Sequence, residues 1–300
     1  MSREWRQFVM NLESLNAENV EAIFMQHGAC SVTFSDAGDK PVLEPAPGET
    51  PFWGETRITG LFESDADLEA LARDLRRMLD LAELPGHRIV TLADRDWERE
   101  WLKDFGPMCF GERLWVCPTG THPGDAGAVI VHLDPGLAFG TGTHATTAMC
   151  LEWLDTLELD GRNMLDYGCG SGVLAIAALK LGCSRAHAMD IDVQAVTATR
   201  QNAAHNEVDD RLTVTAGADT IDGTFDVVIA NILAGPLVEL AEAISSHVAP
   251  EGLLALSGIL DDQVDNVRDA YAPWLSFDEP EFRVQSGQTW TRLTGRKRQD

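Results

Sequence analysis

Residues 164–172 read Met-Leu-Asp-Tyr-Gly-Cys-Gly-Ser-Gly, and no other stretch restricts the fold of this 300-residue chain so sharply. A short apolar run ends in Asp166, glycine recurs at 168, 170 and 172, and Val173–Leu181 is apolar enough for a buried helix. Strand, glycine turn and helix open a doubly wound nucleotide fold. In that unit glycine lets backbone approach a ligand, and the helix N-terminus offers unpaired N–H groups. The spacing narrows the choice of nucleotide. A dinucleotide fingerprint wants glycine at its first, third and sixth places, and the sixth place from Gly168 is Val173. The next apolar strand, 186–190, closes on Asp190, whose carboxylate can accept hydrogen bonds from both hydroxyls of a ribose.

From residue 164 onward strand and helix patterns alternate: strands near 164–167, 186–190, 211–215, 225–230 and 252–257, helices near 173–181, 193–206, 236–248 and 261–271. The consequence is a mostly parallel sheet covered on both faces. Two late strands, about 276–284 and 288–294, are expected to form a hairpin edge. The first 93 residues follow a different succession, β-α-β-β-α-β, which suggests a small α+β ferredoxin-like domain. Its second helix is expected to start at Asp65 or Asp67 and run to about Leu84, with Leu68, Leu71, Leu75 and Leu79 on one face. Residues 94–110 are expected to link the two domains through a polar helix with Trp97, Trp101 and Phe105 spaced by four. The third segment, 111–300, is the Rossmann-like domain.

Net charge is −25, with only four lysines. Such a surface repels nucleic acid and attracts basic proteins, although a salt-tolerant hydrated surface explains the same excess. The acidity is not a tail effect, since residues 1–100 already hold 20 acids against 10 arginines and lysines. Six cysteines show neither paired nor zinc spacing and read as reduced, mostly buried thiols of a cytoplasmic protein. No metal site is expected, and no apolar run is long enough to span a bilayer.

Motif by motif, a resemblance emerges. Asp-x-Gly-x-Gly-x-Gly at 166–172 resembles motif I of S-adenosylmethionine-dependent methyltransferases. Phe-Gly-Thr-Gly-Thr-His (139–144), Asp-Ile-Asp (190–192), Ala-Asn-Ile-Leu-Ala (230–234) and, upstream, Asp-Trp-Glu-Arg-Glu-Trp (96–101) accompany it. Together they resemble the bacterial methyltransferases of ribosomal protein L-eleven along nearly the whole chain. The resemblance implies a class I methyltransferase that uses S-adenosylmethionine to methylate lysine side chains and the N-terminal amine of that ribosomal protein. It also implies cofactor contacts from Thr147, Gly168, Gly170, Asp190 and Asn231, with Asn231 orienting the amine. Of these, Gly168 and Asp190 follow from the residues themselves as well. Thr147 reads equally as a first-turn threonine satisfying local backbone, Asn231 also as a cap of the strand-to-helix turn, and His144 as structural. Phe139 offers either a cation–π face to a methylated ammonium or plain core packing. The family commonly places proline after the histidine. This chain has Ala145, which is expected to loosen the start of the following helix. The competing readings are a methyltransferase of small molecules or RNA, and a non-catalytic binder of the same cofactor.

Overall fold

A computed structural model describes residues 4–38, 55–93, 106–125, 127–134, 142–217 and 221–299. The chain divides into two units, Met1–Trp101 and Leu102–Asp300. Most of the expected linker helix, and residues 139–141 of the loop at 139–144, Phe139 among them, lie outside the described residues.

In the first unit the elements are β1 (Glu4–Asn11), α1 (Ala17–Gln26), β2 (Ser31–Asp36), β3 (Thr56–Glu63), α2 (Leu68–Met78) and β4 (His87–Ala93). The sheet order is β2-β3-β1-β4 and every neighbouring pair is antiparallel. Period-two burial along β3 sends Ile58 and Phe62 inward, where Phe8 and Phe24 meet edge to face at 5.6 Å. The leucines at 68, 71 and 75 cover this core from α2. Asp67 caps that helix by accepting the Ala70 N–H at 2.9 Å, and the helix ends at Met78, one turn or more short of Leu84.

The second unit begins with a small sheet of β5 (Met108–Phe110), β6 (Leu114–Cys117) and β7 (Val129–His132). There follow α3 (Ala145–Asp155), β8 (Asn163–Tyr167), α4 (Val173–Lys180), β9 (Arg185–Asp190), α5 (Val193–His205), β10 (Leu212–Ala216) and β11 (Phe225–Asn231). The chain continues through α6 (Ala234–Glu239), α7 (Ala241–Ser246), β12 (Val248–Leu260), α8 (Val264–Tyr271), β13 (Leu275–Phe277), β14 (Glu281–Gln285) and β15 (Gln288–Lys297). The main sheet runs β10-β9-β8-β11-β12-β15-β13, with β14 also on β15. Its first five strands are parallel and β15 is antiparallel. Both faces are buried, because successive residues of β11 enter opposite cores: Val227 and Ile229 one, Val228 and Ala230 the other.

Three expectations need correction. Residues 276–284 do not form one strand, because Pro280 cannot donate to a ladder, and the stretch splits into β13 and β14. The last strand is not an edge: β15 lies between β12 and β13, and only β14 makes a hairpin with it. The helix expected over 236–248 is two short helices that meet at Leu240.

Candidate functional site

Strand order reverses between β8 and β11, so the carboxyl ends of these strands diverge and leave a crevice, the usual ligand position of such sheets. The glycine turn occupies one side. Gly168 has φ +82, and a Cβ there would lie 2.3 Å from Ile232 Cγ2, so only glycine permits the approach. The Gly168 and Cys169 N–H groups both donate to the Met189 carbonyl at 2.9 Å. Gly170 N–H donates to Asp190 Oδ2 at 2.9 Å, and Asp192 N–H donates to Asp190 Oδ1 at 3.0 Å. Each carboxylate oxygen thus keeps a second acceptor site, enough for two further hydroxyls.

Two residues that sequence reasoning missed hold this loop from α5. Thr199 Oγ1 donates to the Gly170 carbonyl at 2.9 Å, and Asn202 Nδ2 to the Ser171 carbonyl at 2.8 Å. The available signal was a threonine at an apolar-face position of a helix, beside Ala195, Val196 and Ala203. Ile191 and Val193 flank the carboxylate, 88% and 69% exposed. Apolar side chains left in water beside a polar anchor suit a planar ring laid against them.

Asp166 is fully buried beneath the turn. Its Oδ2 accepts the Ala175 N–H at 3.1 Å, while Oδ1 has no hydrogen-bond partner. Burial pushes its pKa up to about 7; the Ala175 N–H opposes the rise and the Asp190 carboxylate adds to it. Burial also pushes the Cys150 and Cys169 thiols up to about 12, which removes both as nucleophiles.

Across the crevice, Asn231 ends β11 and donates from Nδ2 to Thr147 Oγ1 at 3.2 Å. Thr147 is buried in the first turn of α3. One amide N–H is engaged there, and Oδ1 is the acceptor end of the same group. The sequence-derived site residues therefore fall into two groups, Gly168, Gly170 and Asp190 on one wall and Thr147 with Asn231 on the other. The contact between Gly168 and Ile232 joins them. Gly258, also missed, supports the second wall: a Cβ there would stand 2.2 Å from the Ile232 carbonyl oxygen. A glycine inside a strand pattern marks such a close approach, and the β12–β15 register does shift beside it, between Ser257 and Ile259. His144 is the N-cap of α3: its Nδ1 accepts from Thr146 Oγ1 at 2.8 Å and from the Thr146 N–H at 3.4 Å. Its burial lowers its pKa.

A path of seven strands in an eight-stranded sheet, with the antiparallel β15 second from the end of that path, a glycine turn after β8 and a carboxylate ending β9 define a class I methyltransferase fold. The chain belongs to the ribosomal protein L11 methyltransferase (PrmA) family, whose profile matches residues 4–298. It is 50% identical to the ribosomal protein L11 methyltransferase of Klebsiella pneumoniae (strain 342) over 294 residues, 98% of this chain and 99% of that protein. The protein of the same name from Salmonella arizonae is 50% identical over 295 residues, with the same coverage. The crystal structure of a ribosomal protein L11 methylase from Lactobacillus delbrueckii subsp. bulgaricus superposes with TM-score 0.58 at 32% identity, covering 65% of this chain and all of that one. Among the described residues no helix is long and apolar enough to cross a membrane, and no group of side chains could hold a metal ion.

Proposed function

We propose that this chain methylates amines of ribosomal protein L11, lysine side chains and the N-terminal amine, with S-adenosylmethionine as donor. Gly168, Gly170, Asp190, Thr147 and Asn231 hold the cofactor in this reading, and Asn231 also holds the acceptor amine. The residues fit such a ligand. Glycine keeps the turn open to a close approach, Asp190 retains acceptor capacity for ribose hydroxyls, and Ile191 and Val193 present apolar surface beside it.

When bound, the cofactor supplies a methyl group on a sulfonium that already leaves readily. What remains for the protein is to deliver a neutral, aligned amine. A lysine amine has a pKa of about 10.4 in water, and desolvation in the crevice favours its uncharged form. Asn231 Oδ1 then accepts an amine N–H and directs the lone pair, so that rate comes from positioning and no strong base is required. The observation that carries this reading is the bond from Asn231 Nδ2 to Thr147 Oγ1, which ties the residue ending β11 to the first turn of α3.

Residues 1–93 act as a recognition module joined through 94–110, and the net charge of −25 favours a basic protein partner over RNA. The protein works in the cytoplasm, where its acceptor is made. Mass spectrometry of L11 after incubation with the enzyme and methyl donor tests the proposal: added methyl groups on amines support it. Unmodified L11 beside a methylated RNA or small molecule refutes it.

A further inference from the structure

The start of α3 is held by a residue far away in sequence. Gln285, the last residue of β14, accepts the Ala145 N–H through Oε1 at 2.5 Å and donates from Nε2 to the Thr143 carbonyl at 3.0 Å. One planar amide thereby grips both sides of the His144 cap, using its acceptor and its donor together. From β15, Trp290 presses the same cap, with its ring 4.7 Å from the His144 imidazole and nearly perpendicular to it. The hairpin can present Gln285 there because Ser286 and Gly287 both take positive φ in its two-residue turn.

Beyond Ala145, α3 has other anchors. Arg283 pairs with Glu152 through two bonds of 3.1 and 2.5 Å, Arg292 Nη1 donates to the Met149 carbonyl, and Ser257 Oγ to the Thr146 carbonyl at 3.3 Å. Losing Gln285 would release the entry into the first turn while the helix stays docked. Two residues beyond Ala145 in that turn stands Thr147, the partner of Asn231.

We infer that Gln285 is a positioning residue for methyl transfer, acting through the first turn of α3 on Thr147 and Asn231. It rests on the role proposed above for Asn231. It also explains how this chain does without proline at 145. Proline is favoured at the first helical position because its φ is already set and it has no N–H to satisfy. Ala145 leaves that N–H and that freedom, and Gln285 takes up both. His144, with φ −79 and ψ 141, already has the extended conformation required before proline, and a proline ring at 145 would displace the Gln285 amide from the N–H it now accepts.

The test is a double-mutant cycle in the full-length enzyme, with L11 as acceptor. Gln285→Met keeps the bulk and removes both bonds; kcat should fall roughly tenfold, with the acceptor KM within about twofold, because Gln285 only positions. Ala145→Pro should restore most of that loss, so that Gln285→Met in the Ala145→Pro background costs less than about twofold. Phe282→Ala, on the same strand but exposed, should leave kcat unchanged. Should Gln285→Met fail to fold, Gln285→Asn, which draws both groups back by one methylene, should show a smaller fall with the same rescue. Equal costs of the Gln285 change in both backgrounds would overturn the inference, as would wild-type kcat in Gln285→Met. If Asn231→Ala keeps full kcat, the proposed role of Asn231 fails; if Asn231→Ala is impaired and Gln285→Met is not, only the role of Gln285 fails.

Discussion

Replacing Gly258 by alanine probes the second wall of the crevice most directly. Gly258 has φ +89, and an added Cβ would lie 2.2 Å from the Ile232 carbonyl oxygen and 2.8 Å from its carbon. The left-handed conformation alone costs an L residue about 1–2 kcal/mol. A carbon–oxygen contact settles near 3.3 Å at closest, so one backbone must retreat by about 1 Å. Neither side chain rotation nor a flexible tip can absorb that, because the struck atoms are main chain of Ile232, the residue that follows Asn231 at the end of β11. Displacements of this size at a reacting centre cost about a hundredfold in rate. Gly258→Ala should therefore lower kcat about a hundredfold in an assay of radiolabelled methyl transfer to L11. Gly223→Ala is the matched control, since Gly223 has φ +83 and nothing within 4 Å of its would-be Cβ. It should lose only the conformational term in thermal unfolding and keep its kcat. If both variants lose the same stability and Gly258→Ala turns over like wild type, the close approach does not set the site.

Asn231→Ala should cut kcat more than any change outside the crevice, measured as initial rate at saturating acceptor; a wild-type rate would exclude its proposed role. Asp190→Ala removes a charged acceptor of two backbone N–H groups, a loss of about 1.5–3 kcal/mol, so calorimetry should show cofactor binding weakened about tenfold or more. Unchanged affinity would place the ribose elsewhere. For Asp166 the sign runs opposite to that of a salt-bridged carboxylate. Its pKa rises on folding to about 7, so the folded state binds the proton more tightly than the unfolded chain. Its contribution to stability is present in full below the unfolded value near 4 and is lost as pH climbs to 7. Asp166→Asn mimics the protonated form; its melting temperature relative to wild type should rise between pH 5 and 7 and then level off. A constant difference across that range would mean that Asp166 titrates as an ordinary carboxylate.

What the sequence reveals depends on how locally each feature is encoded. The glycine turn and Asp190 were legible because one turn and the end of the next strand supply everything, and residues 168–190 contain both. The Asp67 cap was equally local, since it satisfies an N–H three residues on. Thr147 and Asn231 lie 84 positions apart, and the residues alone left each open between a site role and an ordinary local one; the bond between them exists only once β11 and α3 are side by side. Gln285 lies further off again, 140 positions from Ala145. Glutamine in a polar hairpin carries no motif, and its partners are backbone groups that any sequence possesses.

The misread hairpin and the missed glutamine share a physical cause. Periodicity reports which face of a strand is buried, and it says nothing of which strand lies alongside. Residues 288–294 were read as one side of an edge hairpin, whereas β15 pairs with β12 along seven positions. That insertion brings Arg292 level with Ser257, and Ser257 level with Asn231, so that three strands share one row across the sheet. It also carries β14 on to Glu281 in the same row, leaving residues 282–285 beyond the carboxyl edge, where the crevice opens. The wall that positions α3 is therefore a consequence of strand order, and a chain with the same hairpin placed at a free edge would have no residue in reach of the His144 cap.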